Sequence, residues 1–274
     1  MKFAFLMENK TESSGVVAEH GLSIYIEAQG RKILFDAGAS SLFADNAKAM
    51  DIDLEPVDTM VISHGHYDHT GGVPRFCDIN GIAPIYVHEN AFYENFSMEA
   101  DGSKSIDSIQ WTDHERAAIA PRIIRTSGVT WITENIAVSG TVPKIDGFEP
   151  TATFYRMLPD GTTVEDPMDH EQMLVIREPE GLYVFSGCSH RGVVPAIRYA
   201  REIFGGERIA VLIAGMHLMW ADEAMRKKVV DEILAEEMDI VMPVHCTGIN
   251  AICDLKAAMG EKCVVPATGA KYGY

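Results

Sequence analysis

The chain predicts a mixed α/β protein built from two similar halves that face one another as a sandwich. Three observations carry this. Two hairpin patterns, 22–38 and 173–188, each close on a turn that contains glycine. Each is followed by short apolar β-branched runs that alternate with helical stretches. At the mouth of one such run stands His64-Gly65-His66-Tyr67-Asp68-His69, three imidazoles and a carboxylate in six residues.

In order, 3–7 reads as a first strand and 11–15 as a polar loop. Residues 22–28 alternate and join through Gln29-Gly30 to 31–35, a hairpin ending at Asp36-Ala37-Gly38. Residues 42–50 are helical, Pro56 ends the connection, and 60–62 is a buried strand. Gly71-Gly72-Val73-Pro74 opens a turn, and 85–88 is a strand. Residues 89–125 are the least regular. Their aromatic residues Phe92, Tyr93, Phe96 and Trp111, with His114, suit a lid or pocket wall, or equally a surface insertion packed by its own rings. Strand patterning resumes at 131–138 and 151–155. A second hairpin, 173–176 with 182–185, ends at Gly187-Cys188-Ser189-His190. Amphipathic helices at 193–204 and 221–238 then alternate with strands at 209–213 and 240–244, and 251–259 is a last helix. The order of hairpin, buried strand and strand ending in His thus occurs twice, which predicts one domain over 1–274 with halves of about 1–140 and 141–274.

His64 and His66 are two apart, so in an extended segment they point the same way, while Asp68 and His69 fall on the next turn and face a second point. Two adjacent metal positions result. Imidazole and carboxylate together suit zinc, manganese or iron. The plain alternative is a solvated His-rich loop. His190 and His245 each follow a buried strand, where a lone His is usually only hydrogen-bonded, but a motif with four donors needs further ligands to close two sites. His217 also follows a strand and is read as a pocket or proton-transfer residue, with a structural role as the rival. His20 has a hydrogen-bonding place near the pocket, while His88, His114 and His170 are read as structural. Lys144 and Arg191 are candidate anion contacts, with solvated surface charge as the commoner reading.

His64-Gly65-His66-Tyr67-Asp68-His69 resembles the HxHxDH signature of the metallo-β-lactamase superfamily. That resemblance implies a four-layer αββα sandwich with a metal site between its sheets. Ala18-Glu19-His20-Gly21-Leu22-Ser23, Leu34-Phe35-Asp36-Ala37-Gly38, Gly187-Cys188-Ser189-His190 and His245-Cys246-Thr247-Gly248 are similar to the branch that includes the dihydropterin-ribofuranosylaminobenzene-phosphate synthases. By resemblance, His64, His66 and His190 hold one metal and Asp68, His69 and His245 the other. One or two Zn2+ per chain are implied, with Mn2+ or Fe2+ as substitutes. Asp68 would also orient a metal-bound hydroxide, and Asp36 would support the metal-binding loop through hydrogen bonds. Many members carry a bridging Asp where this chain has Cys188, which is read here as an inert buried thiol rather than a ligand.

The implied activity is hydrolysis of an ester, phosphoester or related small molecule. A transferase of the synthase type is the first alternative, and an iron redox or metal-binding protein the second. With 23 basic and 40 acidic residues the net charge is -17, which argues against nucleic acid and anionic membranes as partners and leaves an anionic substrate dependent on local cations or metal. Five cysteines without a CxxC pair suggest no disulfide framework, and the apolar N-terminal run is too short for a signal peptide. The expectation is a cytoplasmic protein.

Overall fold

A computed structural model describes residues 1–99, 101–145 and 152–274. The chain divides into two compact units. One comprises Met1–Ser127, Thr153–Glu171 and Ala267–Tyr274, the other Gly128–Ala152 and Gln172–Pro266. The strands are β1 (Lys2–Met7), β2 (Ser23–Ala28), β3 (Arg31–Phe35), β4 (Thr59–Val61), β5 (Ile85–His88), β6 (Glu94–Met98), β7 (Lys104–Ile106), β8 (Ile123–Thr126), β9 (Thr130–Thr133), β10 (Ile136–Val138), β11 (Tyr155–Met157), β12 (Thr163–Glu165), β13 (Met173–Glu178), β14 (Gly181–Ser186), β15 (Ile209–Gly215), β16 (Met238–Val244) and β17 (Lys271–Tyr272). The α-helices are α1 (Leu42–Ala49), α2 (Tyr67–Thr70), α3 (Val73–Ile79), α4 (Asp113–Ile119), α5 (Val193–Ile203), α6 (Glu223–Ala235) and α7 (Ile249–Met259).

The first unit holds a sheet in the order β17-β1-β2-β3-β4-β5-β8 and a smaller antiparallel one, β12-β11-β6-β7. Hairpin β2–β3 pairs Ala28 with Arg31 across Gln29-Gly30. Both turn residues have positive φ, the backbone a two-residue hairpin turn demands. From β3 to β4, β5 and β8 the strands run parallel, so their C-terminal ends share one edge. That edge receives Asp36, His64 and His88. Leu34, Met60, Ile62, Phe76 and Ile85 are among the buried residues of this unit's core.

The second unit repeats the plan. Its sheet runs β16-β15-β14-β13-β10-β9, with hairpin β13–β14 followed by parallel β15 and β16. Every residue of β15 is buried, as expected of a parallel strand covered on both faces. Val184, Ile197, Leu212 and Val241 are in its core. The C-terminal edge here carries Cys188, His190, His217 and His245.

Four local expectations need revision. The run 131–138 is two strands, β9 and β10, because Glu134-Asn135 turns the chain. The turn expected at 71–74 covers only Gly71-Gly72 and leads straight into α3 at Val73, since Pro74 in a first helical turn gives up no needed hydrogen bond. The strand expected at 151–155 begins only at Tyr155, and residue 151 lies outside the described residues. Within 89–125 lies regular structure, including α4, whose Thr112–Glu115 capping box was legible but unread.

Candidate metal centre

In the first unit β4 delivers the chain to Ser63, buried and adjacent to Asp36 at the end of β3. Ser63 N–H donates to Asp36 Oδ1 and Ser63 Oγ–H to Asp36 Oδ2, both at 2.7 Å. His69 Nδ1–H donates to the same Oδ2 at 2.6 Å. Because the Ser63 proton is committed to Asp36, its oxygen accepts from His64 Nδ1 at 2.9 Å. With Nδ1 donating, the neutral form of each imidazole carries its lone pair on Nε2, the nitrogen a metal would take. Asp36 thus ties Ser63 and His69 together through hydrogen bonds, and Ser63 is a partner that no sequence signal singled out.

The His64 ring lies 4.5 Å from that of His66 and 4.3 Å from that of His69, centroid to centroid. All three are buried, as is Asp68. Burial, with His170 nearby, lowers the pKa of His66 to about 3, so the ring is neutral, the form that ligates. For His69, burial opposes a charge while Asp36 and Asp68 favour it, and the carboxylates win. Asp68 Oδ1 is 3.9 Å from His69 Nε2, and Asp68 Oδ2 is 3.2 Å from His20 Nε2, which gives His20 its place beside the site. Gly65 is obligatory in this turn. A Cβ there would stand 2.4 Å from the Ala91 carbonyl oxygen.

The second unit gathers a matching set. His190 and His217 have ring centroids 4.6 Å apart. Donor atoms of Cys188, His245 and Cys246 all lie within 4.8 Å of one another. Cys246 Sγ accepts the His217 N–H at 3.3 Å. Arg191 is buried, Lys144 exposed, and His114 sits on the exposed side of α4.

Backbone conformation marks the same positions. Asp36, Ser189, His217 and His245 each have φ between 48 and 56°, within three residues of a strand's C-terminal end. Non-glycine residues in this region cost on the order of 1 kcal/mol each and gather where function over-determines the fold. Nothing in the sequence announces it. Buried imidazoles, a carboxylate and thiols make a donor set that fits a divalent transition metal.

Residues 16–192 match the model of the metallo-β-lactamase superfamily. The chain belongs to that superfamily. Its mixed α/β fold is the one the sequence predicted. A metal-dependent hydrolase of the β-lactamase superfamily superposes with a TM-score of 0.84 at 27% identity, covering 100% of this chain and 99% of the other. Two proteins of Methanocaldococcus jannaschii are each 28% identical. One, uncharacterized, matches 91% of this chain and 92% of its own length. The other, a 7,8-dihydropterin-6-methyl-4-(β-D-ribofuranosyl)-aminobenzene-5'-phosphate synthase, matches 85% of this chain and 83% of its own. Among the described residues, no helix of this superfamily member is long and apolar enough to cross a membrane.

Proposed function

We propose that the protein is a metal-dependent hydrolase acting on an ester or phosphoester bond of a small, anionic substrate in the cytoplasm. The observation that carries this reading is the Asp36–Ser63 anchor, which turns the lone pairs of two buried imidazoles toward one role. The proposed ligands are His64, His66 and His190 for one ion and Asp68, His69 and His245 for the other, with Zn2+ as the resident metal. Such ions would supply Lewis-acid activation of water and of the substrate's acyl or phosphoryl oxygen. Asp68, restrained by His20, orients the attacking water and takes part in moving its proton. His217, held through its backbone by Cys246, delivers a proton to the leaving group.

A transferase of the synthase type is the second reading, favoured by the likeness to the archaeal synthase over most of both chains. Elemental analysis of protein purified without added metal, paired with phosphodiester and ester assays, tests the first. One or two equivalents of zinc with turnover of either substrate class are expected. A His66→Ala variant should lose both metal and turnover, and unchanged metal content would sink the assignment. With Cys188 where a bridging Asp is common, the Asp68-bearing site should empty first in a chelator titration. Simultaneous loss of both ions would count against unequal sites.

A further inference from the structure

The segment Thr153–Glu171 returns to the first unit and encloses a small group of buried polar side chains. Arg156, Asp166 and Asn95 are each 5% exposed or less, and His170 is fully buried. The Asp166 carboxylate is held by several donors. Arg156 Nη2–H reaches Oδ1 at 2.6 Å, Asn95 Nδ2–H reaches Oδ2 at 2.6 Å, and the Met168 N–H reaches Oδ1 at 2.8 Å. Arg156 also pairs with Asp169 and lies over the Tyr93 ring, 5.0 Å from its centroid.

A buried ion pair of this kind contributes little net stability, because desolvating both charges offsets most of their attraction. What it confers is position. His170 Nε2 lies 3.6 Å from Asp166 Oδ2, while its other nitrogen, Nδ1, accepts the Gly65 N–H at 3.1 Å. A nitrogen that accepts cannot carry the proton, so the proton resides on Nε2, facing the carboxylate. Gly65 is the residue between His64 and His66. Its amide is thus gripped by His170, while the Ala91 carbonyl oxygen occupies the space a side chain at this position would need. The same segment places Phe154 against His66, ring centroids 4.8 Å apart.

We infer that His170, oriented by the Asp166–Arg156–Asn95 group, is a positioning residue that fixes the Gly65 amide and with it the angle between the His64 and His66 imidazoles. This rests on the reading that those two imidazoles are metal ligands. His170 touches no reacting atom. Its contribution is to keep a turn made of one glycine, the most pliable residue, from sampling other conformations.

The test uses full-length protein and two variants. His170→Leu removes the acceptor at similar bulk, and His170→Asn puts a carbonyl oxygen near the Nδ1 position. In cobalt-loaded protein, His170→Leu should keep its cobalt stoichiometry, shift the visible ligand-field bands and bind cobalt about 10- to 100-fold more weakly. His170→Asn should return both toward the parent. Equal spectra and affinities in parent and Leu variant would overturn the inference, as would equal impairment of both variants. Loss of a whole cobalt equivalent in both would make His170 a ligand and overturn it too. Amide hydrogen exchange at Gly65 in metal-free protein is an independent readout. It should accelerate in the Leu variant and slow again in the Asn variant even if the parent binds no cobalt, an outcome that would sink the hydrolase reading alone. Should His170→Leu not fold, Asp166→Asn, which leaves the imidazole in place but weakens its orientation, should accelerate the same amide. An unchanged rate there would remove Asp166 from the inference.

Discussion

At Asp36 one carboxylate serves Ser63 twice and His69 once, all at 2.6–2.7 Å, from a left-handed backbone at the end of β3. Asn tolerates that backbone, so Asp36→Asn isolates the charge and the lost acceptor oxygen. We expect the fold to persist and metal affinity to fall about 10- to 100-fold. Isothermal titration with zinc measures it, and parent-like affinity would show the carboxylate to be dispensable. Gly65 offers a sharper contrast. Gly65→Ala forces a Cβ to within 2.4 Å of backbone oxygen, whereas Gly81→Ala meets nothing within 4 Å. The first should cost at least about 1–3 kcal/mol and deplete metal, the second change stability by less than about 1 kcal/mol. Denaturant unfolding of the two variants side by side decides whether crowding at the turn, and not glycine replacement in general, is responsible.

Among elements, the segment after β5 supports α2, the helix that carries Asp68 and His69. The Tyr67 N–H donates to the Asp107 carbonyl and Trp111 Nε1–H to the Thr70 carbonyl, each at 2.8 Å. Trp111 and Phe92 also line a pocket of about 260 Å³ with Arg116, Ala120, Ile123 and Arg125. Phe92 and Trp111 therefore line this pocket, and Trp111 also braces the helix that carries Asp68 and His69. Trp111→Phe keeps ring and burial but deletes the donor to Thr70. A loss of about 1–2 kcal/mol in stability is expected, with weaker metal retention against a chelator. Stability lost with metal retention untouched would show that the brace ends at the scaffold.

Over the whole molecule, a net charge of -17 on 274 residues makes self-repulsion a standing cost of the compact state. Salt shortens the reach of that repulsion to about 8 Å near physiological ionic strength. Raising sodium chloride from about 20 to about 200 mM should therefore raise the melting temperature of the metal-loaded protein. A fall would mean that attractive pairs such as Arg156–Asp166 and Arg198–Glu236 outweigh the net charge.

How much was legible follows from how local each cause is. Hairpin 22–38, the strand-ending histidines and the HxHxDH run were readable because alternation, turn glycines and ligand spacing act within a dozen residues. The donor inventory, His64, His66, Asp68, His69, His190, His217 and His245, was likewise a property of the sequence, as was Asp36 at a strand end. Three things were decided only in the folded chain. Ser63 became the acceptor for His64 because Asp36, far earlier in sequence, claimed its proton. Four strand-end residues adopted left-handed backbone because their surroundings hold them there, against their own preference. His170, read as structural, came to hold Gly65 across a separation of 105 residues, through a hydrogen bond whose partner no local pattern specifies. Spacing along a chain selects which chemical groups are available, but the direction of a lone pair depends on what the other nitrogen of each imidazole meets in three dimensions.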